Sequence, residues 1–160
     1  MRFVRCGIKY RGCYWLMVDD DFVKMVKQLQ KKIENDEERT YSKEVIEEYR
    51  NPTFFGVLEH PDAIGQMTGP CNDTMKITLS IKYGKIKDAL FWTDGCGATI
   101  ACGNMLMKMA IGKTTGEARD ISKDDLLRAL NGLPKEHLHC AKLAVDTFYS
   151  TLKQLDKKGK

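Results

Sequence analysis

Four cysteines lie within the part of the sequence that shows helix and strand patterns, at positions 71, 96, 102 and 140. No two of them form a C-x-x-C pair, so their spacing alone matches no zinc-finger or ferredoxin pattern. The first lies in TGPCNDT, where Asp73 follows Cys71 by two residues. In an extended segment such residues point to the same side, so thiolate and carboxylate would face one centre. An inert loop thiol beside a turn aspartate is the alternative interpretation.

The stretch TDGCGATIACGN contains two cysteines in different settings. Cys96 lies between Gly95 and Gly97, directly before a helical pattern, where free backbone N–H groups favour a thiolate. A strand-to-helix turn that merely contains a cysteine is the alternative. If both cysteines were helical, Cys102 would lie about 9 Å further along the axis and about 240° around it. We therefore predict that Cys102 is a small buried residue and not a metal ligand.

Cys140 lies in HLHC near the start of the last helical pattern, with His139 beside it and His137 three residues earlier. Imidazole and thiolate together suit borderline or soft metals, and His137 and Cys140 would share one face of a helix. Polar helix-start histidines next to a buried cysteine are the alternative. Since thiolates bind iron–sulfur clusters and zinc alike, these residues leave the metal open.

Helical patterns lie at both ends of the sequence. The first spans Asp19–Arg39, and the last carries one apolar stripe made of Leu138, Ala141, Val145, Phe148, Leu152 and Leu155. Shorter helices are predicted for residues 42–50, 98–111 and 123–131, the first capped by Ser42.

An alternating pattern replaces the helical one from Thr74. Apolar residues at every second position predict a half-buried strand, and Gly84 turns the chain into a second strand that ends at Thr93. A loop-rich stretch, residues 51–73, precedes them. The order predicts an α+β fold: a small antiparallel β-sheet packed on one face by helices, with an extra N-terminal helix.

Charge and composition limit the functional classes. The net charge of the 160 residues is +4, and Arg2, Arg5, Lys9 and Arg11 account for it, so we expect no nucleic-acid partner. No apolar run is long enough to span a membrane, and no secretion signal is evident. We therefore expect a cytoplasmic protein whose six cysteines are free or metal-binding. Residues 1–18 form a basic arm that we expect to be disordered; a targeting segment, or functional thiols at Cys6 and Cys13, are the alternatives.

The motifs GPCNDTMKI, DGCGATIA, GKTTGEA and GLPKEHLHC, in this order, resemble the IscU/NifU-type iron–sulfur cluster assembly scaffolds. YSKEVIEEYRNPTFFGVLEHPDAIGQ also resembles the opening of that family. The resemblance covers residues 41–160, which we interpret as the scaffold domain, and leaves residues 19–40 as an extra helix.

The resemblance implies a scaffold and not an enzyme. A pyridoxal-phosphate cysteine desulfurase supplies sulfur, an iron donor supplies iron, and the [2Fe–2S] cluster is passed to apo-proteins; a homodimer holding [4Fe–4S] is a further form. By motif, the ligands are Cys71, Cys96 and Cys140, with Asp73 and His139 as candidates for the remaining position. Cys140 is the persulfide acceptor by the same resemblance, and Zn²⁺ suits the same ligands.

The sequence departs from the family at several positions. CND replaces the common CGD, and Asn tolerates the unusual backbone angles expected there. Family members that a dedicated Hsp70-type chaperone serves carry the motif Leu-Pro-Pro-Val-Lys before the final His-Cys pair. Only Leu133 and Pro134 of that motif remain here, which argues against such a chaperone as a partner. His137 replaces the lysine of that motif, as a metal ligand or proton carrier.

The alternative to a cluster scaffold is a SufU-like, zinc-dependent sulfurtransferase component that accepts persulfide sulfur without building a cluster. Such proteins usually lack the histidine that His139 supplies here.

Overall fold

The structure is a computed structural model that describes residues 20–158, with side chains up to residue 155. The described residues divide into two compact units, the first ending at Arg39 and the second beginning at Thr40. The predicted basic arm, with Cys6 and Cys13, lies outside the described residues. Among the described helices, none combines the length and apolar character required to cross a membrane.

The first unit contains α1, which spans Asp20–Thr40. Its sequence pattern predicts an amphipathic helix, and the helix is present. None of its residues is buried, however, and Phe22, Leu29 and Ile33 are each more than half exposed. The apolar period therefore predicted the helix correctly, although these side chains are not part of a packed core.

The second unit contains the remaining elements. They are α2 (Lys43–Arg50), β1 (Ala63–Thr68), β2 (Thr74–Lys82), β3 (Lys85–Thr93), α3 (Gly97–Ala110), α4 (Thr115–Arg119), α5 (Lys123–Ala129), a 3₁₀ turn (Lys135–His137) and α6 (Leu138–Lys158). The α+β class is confirmed. Two elements were not predicted from the sequence: β1, which lies inside the stretch expected to be loop, and the short α4.

The strands form one antiparallel sheet in the order β1-β2-β3. Gly65, Ile77 and Phe91 lie directly opposite one another in the register, so they share a face of the sheet. A Cβ atom on Gly65 would meet the Thr151 side chain of α6, and one on Gly103 of α3 would meet the Phe91 ring. Both long helices of this unit therefore pack on the same face.

The core lies between that face and the helices. Its largest fully buried side chains include Phe91 and Ile77 from the sheet, Leu106 from α3, and Phe148 and Leu152 from α6. Burying an apolar side chain of this size contributes about 1.5–3 kcal/mol. This core fixes the first turns of α3 and α6, which carry the cysteines discussed below.

Candidate metal site

The β1–β2 loop places Cys71 at one end of the sheet. A tight turn closes it: the Asp73 carbonyl accepts a hydrogen bond from the Gly69 N–H at 2.8 Å, and the Gly69 carbonyl accepts one from the Asn72 N–H at 3.1 Å. Asn72 has a left-handed backbone with φ of 62°. The extended geometry expected for residues 71–73 is therefore wrong. Asn occupies a left-handed position, where it and Gly are the residues best tolerated.

Asp73 points towards the β3–α3 loop. Its carboxylate accepts a hydrogen bond from the Thr99 hydroxyl at 3.2 Å. A Cβ atom on Gly95 would lie 2.8 Å from the Asp73 Oδ2 atom and 2.8 Å from the Thr99 Cβ atom. Gly95 is thus required because the two loops approach each other closely here.

Hydrogen bonds between the strand ends hold these two loops together. The Thr93 hydroxyl donates to the Thr74 carbonyl at 2.7 Å, and the Asp94 carboxylate accepts from the Thr74 N–H at 2.6 Å. The Thr93 hydroxyl oxygen also accepts a hydrogen bond from the Gly95 N–H at 3.1 Å. Polar contacts therefore help to position the β1–β2 loop.

Cys96 is the N-cap residue of α3, as its position before the helical pattern predicted. It is exposed, its side chain makes no capping hydrogen bond, and its Sγ atom lies 3.6 Å from the Thr99 hydroxyl. The thiol is thus available to a ligand at the positive end of a helix.

Cys140 lies in the first turn of α6 and is fully buried. Burial is the main reason why the pKa of its thiol is raised to about 11; Cys96 and Asp73 act in the same direction, and a hydrogen bond with Thr99 opposes them. The apo-protein therefore holds Cys140 as a neutral thiol near neutral pH. A metal that binds there must displace the proton.

His139 connects two of the cysteines. Its Nε2 atom lies 3.2 Å from the Cys71 Sγ atom and 3.5 Å from the Cys140 Sγ atom. The structure therefore brings together Cys71, His139 and Cys140, which come from the β1–β2 loop and the start of α6.

His137 lies at the end of the 3₁₀ turn, and its ring faces Cys96. Its Nδ1 atom is 3.9 Å from the Cys96 Sγ atom, and its Nε2 atom is 2.9 Å from the Tyr41 hydroxyl. Among the described residues, ligand atoms of Cys96, His137 and Cys140 lie within 4.8 Å of one another, as a metal site requires. Asp73 is not a member of this group. Tyr41 was missed by the sequence analysis, because nothing in the sequence connects it to a residue 96 positions later.

Cys102 lies in the core, as predicted. It is fully buried, and this burial, together with Cys140 and Cys96, raises the pKa of its thiol well above the usual value. A neutral, solvent-excluded thiol packs as a small apolar side chain. All four cysteines of the described residues are free.

The fold and the site together define a small α+β protein with a thiol and imidazole site at one end of its sheet. The family model for the NifU-like N-terminal domain matches residues 40–160. The chain belongs to this family, as the resemblance in the sequence predicted.

Curated relatives support the same assignment. The iron–sulfur cluster assembly scaffold protein IscU 1 of Archaeoglobus fulgidus is 42% identical over 107 residues, which are 66% of this chain and 70% of that protein. The scaffold protein IscU of Aquifex aeolicus is 35% identical over 124 residues, covering 75% of this chain and 79% of that protein.

A solved structure shares the fold. It is the N-terminal part of a nitrogen-fixing NifU-like protein from Brucella abortus, with a TM-score of 0.57 and 22% identity. The match covers 73% of this chain and 94% of that one.

Proposed function

We propose that this protein is a scaffold on which iron–sulfur clusters are assembled before they are transferred to other proteins. The observation that carries the proposal is the convergence of Cys71, Cys96 and Cys140 with His139 at one end of the sheet. Thiolates hold iron–sulfur clusters, and imidazole is an established replacement for thiolate on such irons. The scaffolds named among the curated relatives support this function.

The proposed cluster is [2Fe–2S], with Cys71, Cys96 and Cys140 as ligands and Asp73 or His139 in the remaining position. Cys71 and Cys96 are exposed, whereas Cys140 is buried. A cluster held here would be exposed on its Cys71 and Cys96 side, which is where an acceptor protein would approach. A carboxylate or imidazole in the last position binds iron less firmly than thiolate and so favours release.

Sulfur would arrive as a persulfide from a pyridoxal-phosphate cysteine desulfurase, with Cys140 as the acceptor. The Cys140 thiol first loses its proton, and the resulting thiolate attacks the outer sulfur of the donor persulfide. The S–S bond of the donor breaks, and the donor cysteine leaves as a thiolate that takes up a proton. Two electrons from an external reductant then convert each transferred sulfur to sulfide. Because Cys140 is buried, the side chains around it must move before this attack.

Anaerobic reconstitution tests the proposal. The protein is incubated with ferrous iron, cysteine, a reductant and a cysteine desulfurase, and its visible absorption and transfer to an apo-ferredoxin are followed. We expect a thiolate-to-iron charge-transfer spectrum and ferredoxin maturation. Cys140→Ala is expected to abolish both.

Cys102→Ala is the matched control, because it removes a buried thiol that lies outside the site. We expect it to retain the cluster. Colourless protein that carries persulfide on Cys140 and tightly bound zinc would instead support the zinc-dependent sulfurtransferase. Protein with neither persulfide nor cluster would contradict both functions.

A further inference from the structure

The cluster ligand set proposed above leaves two residues of the site without a role. These are His137, at the end of the 3₁₀ turn, and Tyr41, just before α2. His137 faces Cys96, whereas His139 faces Cys71. The site therefore contains two imidazoles that contact different thiols, and Cys140 lies near both imidazoles.

We propose that Cys96, His137 and Cys140 form a binding site for a single Zn²⁺ or Fe²⁺ ion, and that Tyr41 positions His137 for it. Binding of this ion to the apo-protein requires no inorganic sulfide and no bond to Cys71. Since Cys96 and Cys140 are also proposed cluster ligands, the ion leaves or is incorporated when a cluster is built. The inference itself does not depend on cluster assembly.

The distances fit such an ion. Zinc bonds of about 2.3 Å to sulfur and about 2.0 Å to nitrogen, arranged tetrahedrally, place a sulfur and a nitrogen ligand about 3.5 Å apart. The Cys96 Sγ and His137 Nδ1 atoms are 3.9 Å apart, so a shift of a few tenths of an ångström is sufficient. All three ligand atoms lie within 4.8 Å of one another.

The chemistry of the ligands also fits. Two thiolates and an imidazole suit a borderline cation, and three protein ligands leave one position open. Cys96 is exposed, so the ion has a route from solvent. An open fourth position is what a site for an exchangeable ion needs, in contrast to a closed structural zinc site.

Tyr41 supplies the outer contact that a metal-binding histidine normally has. Its hydroxyl oxygen lies 2.9 Å from His137 Nε2, within hydrogen-bond distance. When Nε2 carries the proton, it donates to this oxygen, and the Nδ1 lone pair is directed towards Cys96. The two rings are also in contact, with centroids 5.6 Å apart. The outer contact is therefore compatible with the tautomer that binds an ion through Nδ1.

The start of α2 holds Tyr41 in place. The next residue, Ser42, caps α2 and donates its hydroxyl to the Leu130 carbonyl at 2.5 Å. The Tyr41 ring packs edge-on against Tyr49, with centroids 6.5 Å apart. Glu48 of the same helix accepts a hydrogen bond from Asn104 of α3 at 2.5 Å. Tyr41 is thus connected, through α2, to the helix whose N-cap is Cys96.

Cation titration of the apo-protein tests the inference. Co²⁺ replaces Zn²⁺ as a spectroscopic probe, and Zn²⁺ affinity is measured by competition with a chromophoric chelator. For the wild-type protein we expect one tight equivalent, tetrahedral Co²⁺ bands, and a sulfur-to-cobalt charge-transfer intensity typical of two thiolates. An intensity typical of three thiolates would overturn the inference without any variant.

Variants separate the two imidazoles. His137→Ala is expected to weaken Zn²⁺ binding by more than about 100-fold, because even the loss of an outer partner costs about 10–100-fold. Tyr41→Phe keeps the ring and all ligands, and we expect it to weaken binding by about 10-fold and to move the His137 ring nitrogen shifts in NMR spectra. His60→Ala, which removes the exposed histidine outside the site, is the matched control and should bind normally.

Two results would contradict the assignment. One is a loss of affinity in Cys71→Ser or His139→Ala as large as that in His137→Ala, which would place the ion in the proposed cluster ligand set. The other is unchanged affinity in a folded His137→Gln variant, which preserves the size of the side chain better than Ala. Circular dichroism and thermal unfolding check each variant for folding.

Discussion

The two sides of the candidate site are held in place by different interactions. On the helix side, Cys96 caps α3 and Cys140 lies in the first turn of α6. The inner faces of both helices form the core, and Cys140 itself is buried there. On the loop side, Cys71 is exposed and Asp73 is held by hydrogen bonds. The positions of the proposed ligands are therefore coupled to the folded core on the helix side and to polar contacts on the loop side. If the proposed scaffold function holds, we expect a bound cluster to be released on the loop side, where the core is not disturbed.

The comparison predicts its largest effect for α6. Phe148→Ala removes a fully buried aromatic ring and should lower the free energy of unfolding by about 3–5 kcal/mol. Denaturant unfolding measures it. The matched control is Leu29→Ala in α1, where the side chain is 52% exposed and a change within about 0.5 kcal/mol is expected. Equal losses in the two variants would show that the exposed stripe of α1 is packed in solution.

A smaller effect is expected where the two loops meet. Gly95→Ala places a Cβ atom 2.8 Å from both the Asp73 carboxylate and the Thr99 Cβ atom, so one of them must move. Overpacking of this kind costs about 1–3 kcal/mol. Thermal unfolding measures the loss of stability. A cluster lifetime that differs from that of the wild-type protein would indicate that Asp73 is displaced.

Gly116→Ala is the control for that substitution. Gly116 lies in α4, and the nearest atom to an added Cβ is 3.9 Å away. Since Ala favours a helix over Gly by about 1 kcal/mol, this variant should be unchanged or slightly more stable. If Gly95→Ala were equally harmless, the close approach of the two loops would not be needed.

The smallest effect on stability is expected for Asp73→Ala on the loop side. It removes one hydrogen bond, from the Thr99 hydroxyl, which contributes about 0.5–1.5 kcal/mol. Its effect on the cargo should be larger: without the exchangeable carboxylate, we expect a longer-lived cluster and slower transfer to apo-ferredoxin. Both are followed by visible absorption.

Asp88→Ala is the control, because Asp88 is a half-exposed carboxylate paired with Lys87 on β3. It should leave cluster lifetime and transfer at their wild-type values. Unchanged lifetime and transfer in Asp73→Ala would remove Asp73 from the release step.

Helices and strands were predicted correctly from the sequence where their apolar residues recur with a clear helical or strand spacing. The stripe of α6 and the alternation of β2 each match a single structure, and both are present. β1 was missed because only Ala63 and Gly65 of its six residues are buried, so the strand shows no apolar alternation. α4 has five residues, too few for a period, although the capping box of Thr114 and Glu117 was a readable signal.

Burial was less predictable than secondary structure. α1 and α6 have the same length, 21 residues, and both carry apolar residues at helical spacing. In α6 these side chains form the core, whereas in α1 none is buried. Apolar periodicity identifies the face of a helix that is suited to packing. It does not show whether another part of the protein covers that face.

The sequence by itself determined the residue types of the site, the start of α3 directly after Cys96 and the family of the chain. These depend on local chemistry and on the order of motifs. Only the tertiary structure decided that His139 faces Cys71, that His137 faces Cys96, and that Tyr41 contacts His137. The physical reason is that each contact joins two residues separated by between 41 and 96 positions in the sequence. The packing of α2, α3 and α6 brings such residues together, and their own neighbours in the chain do not.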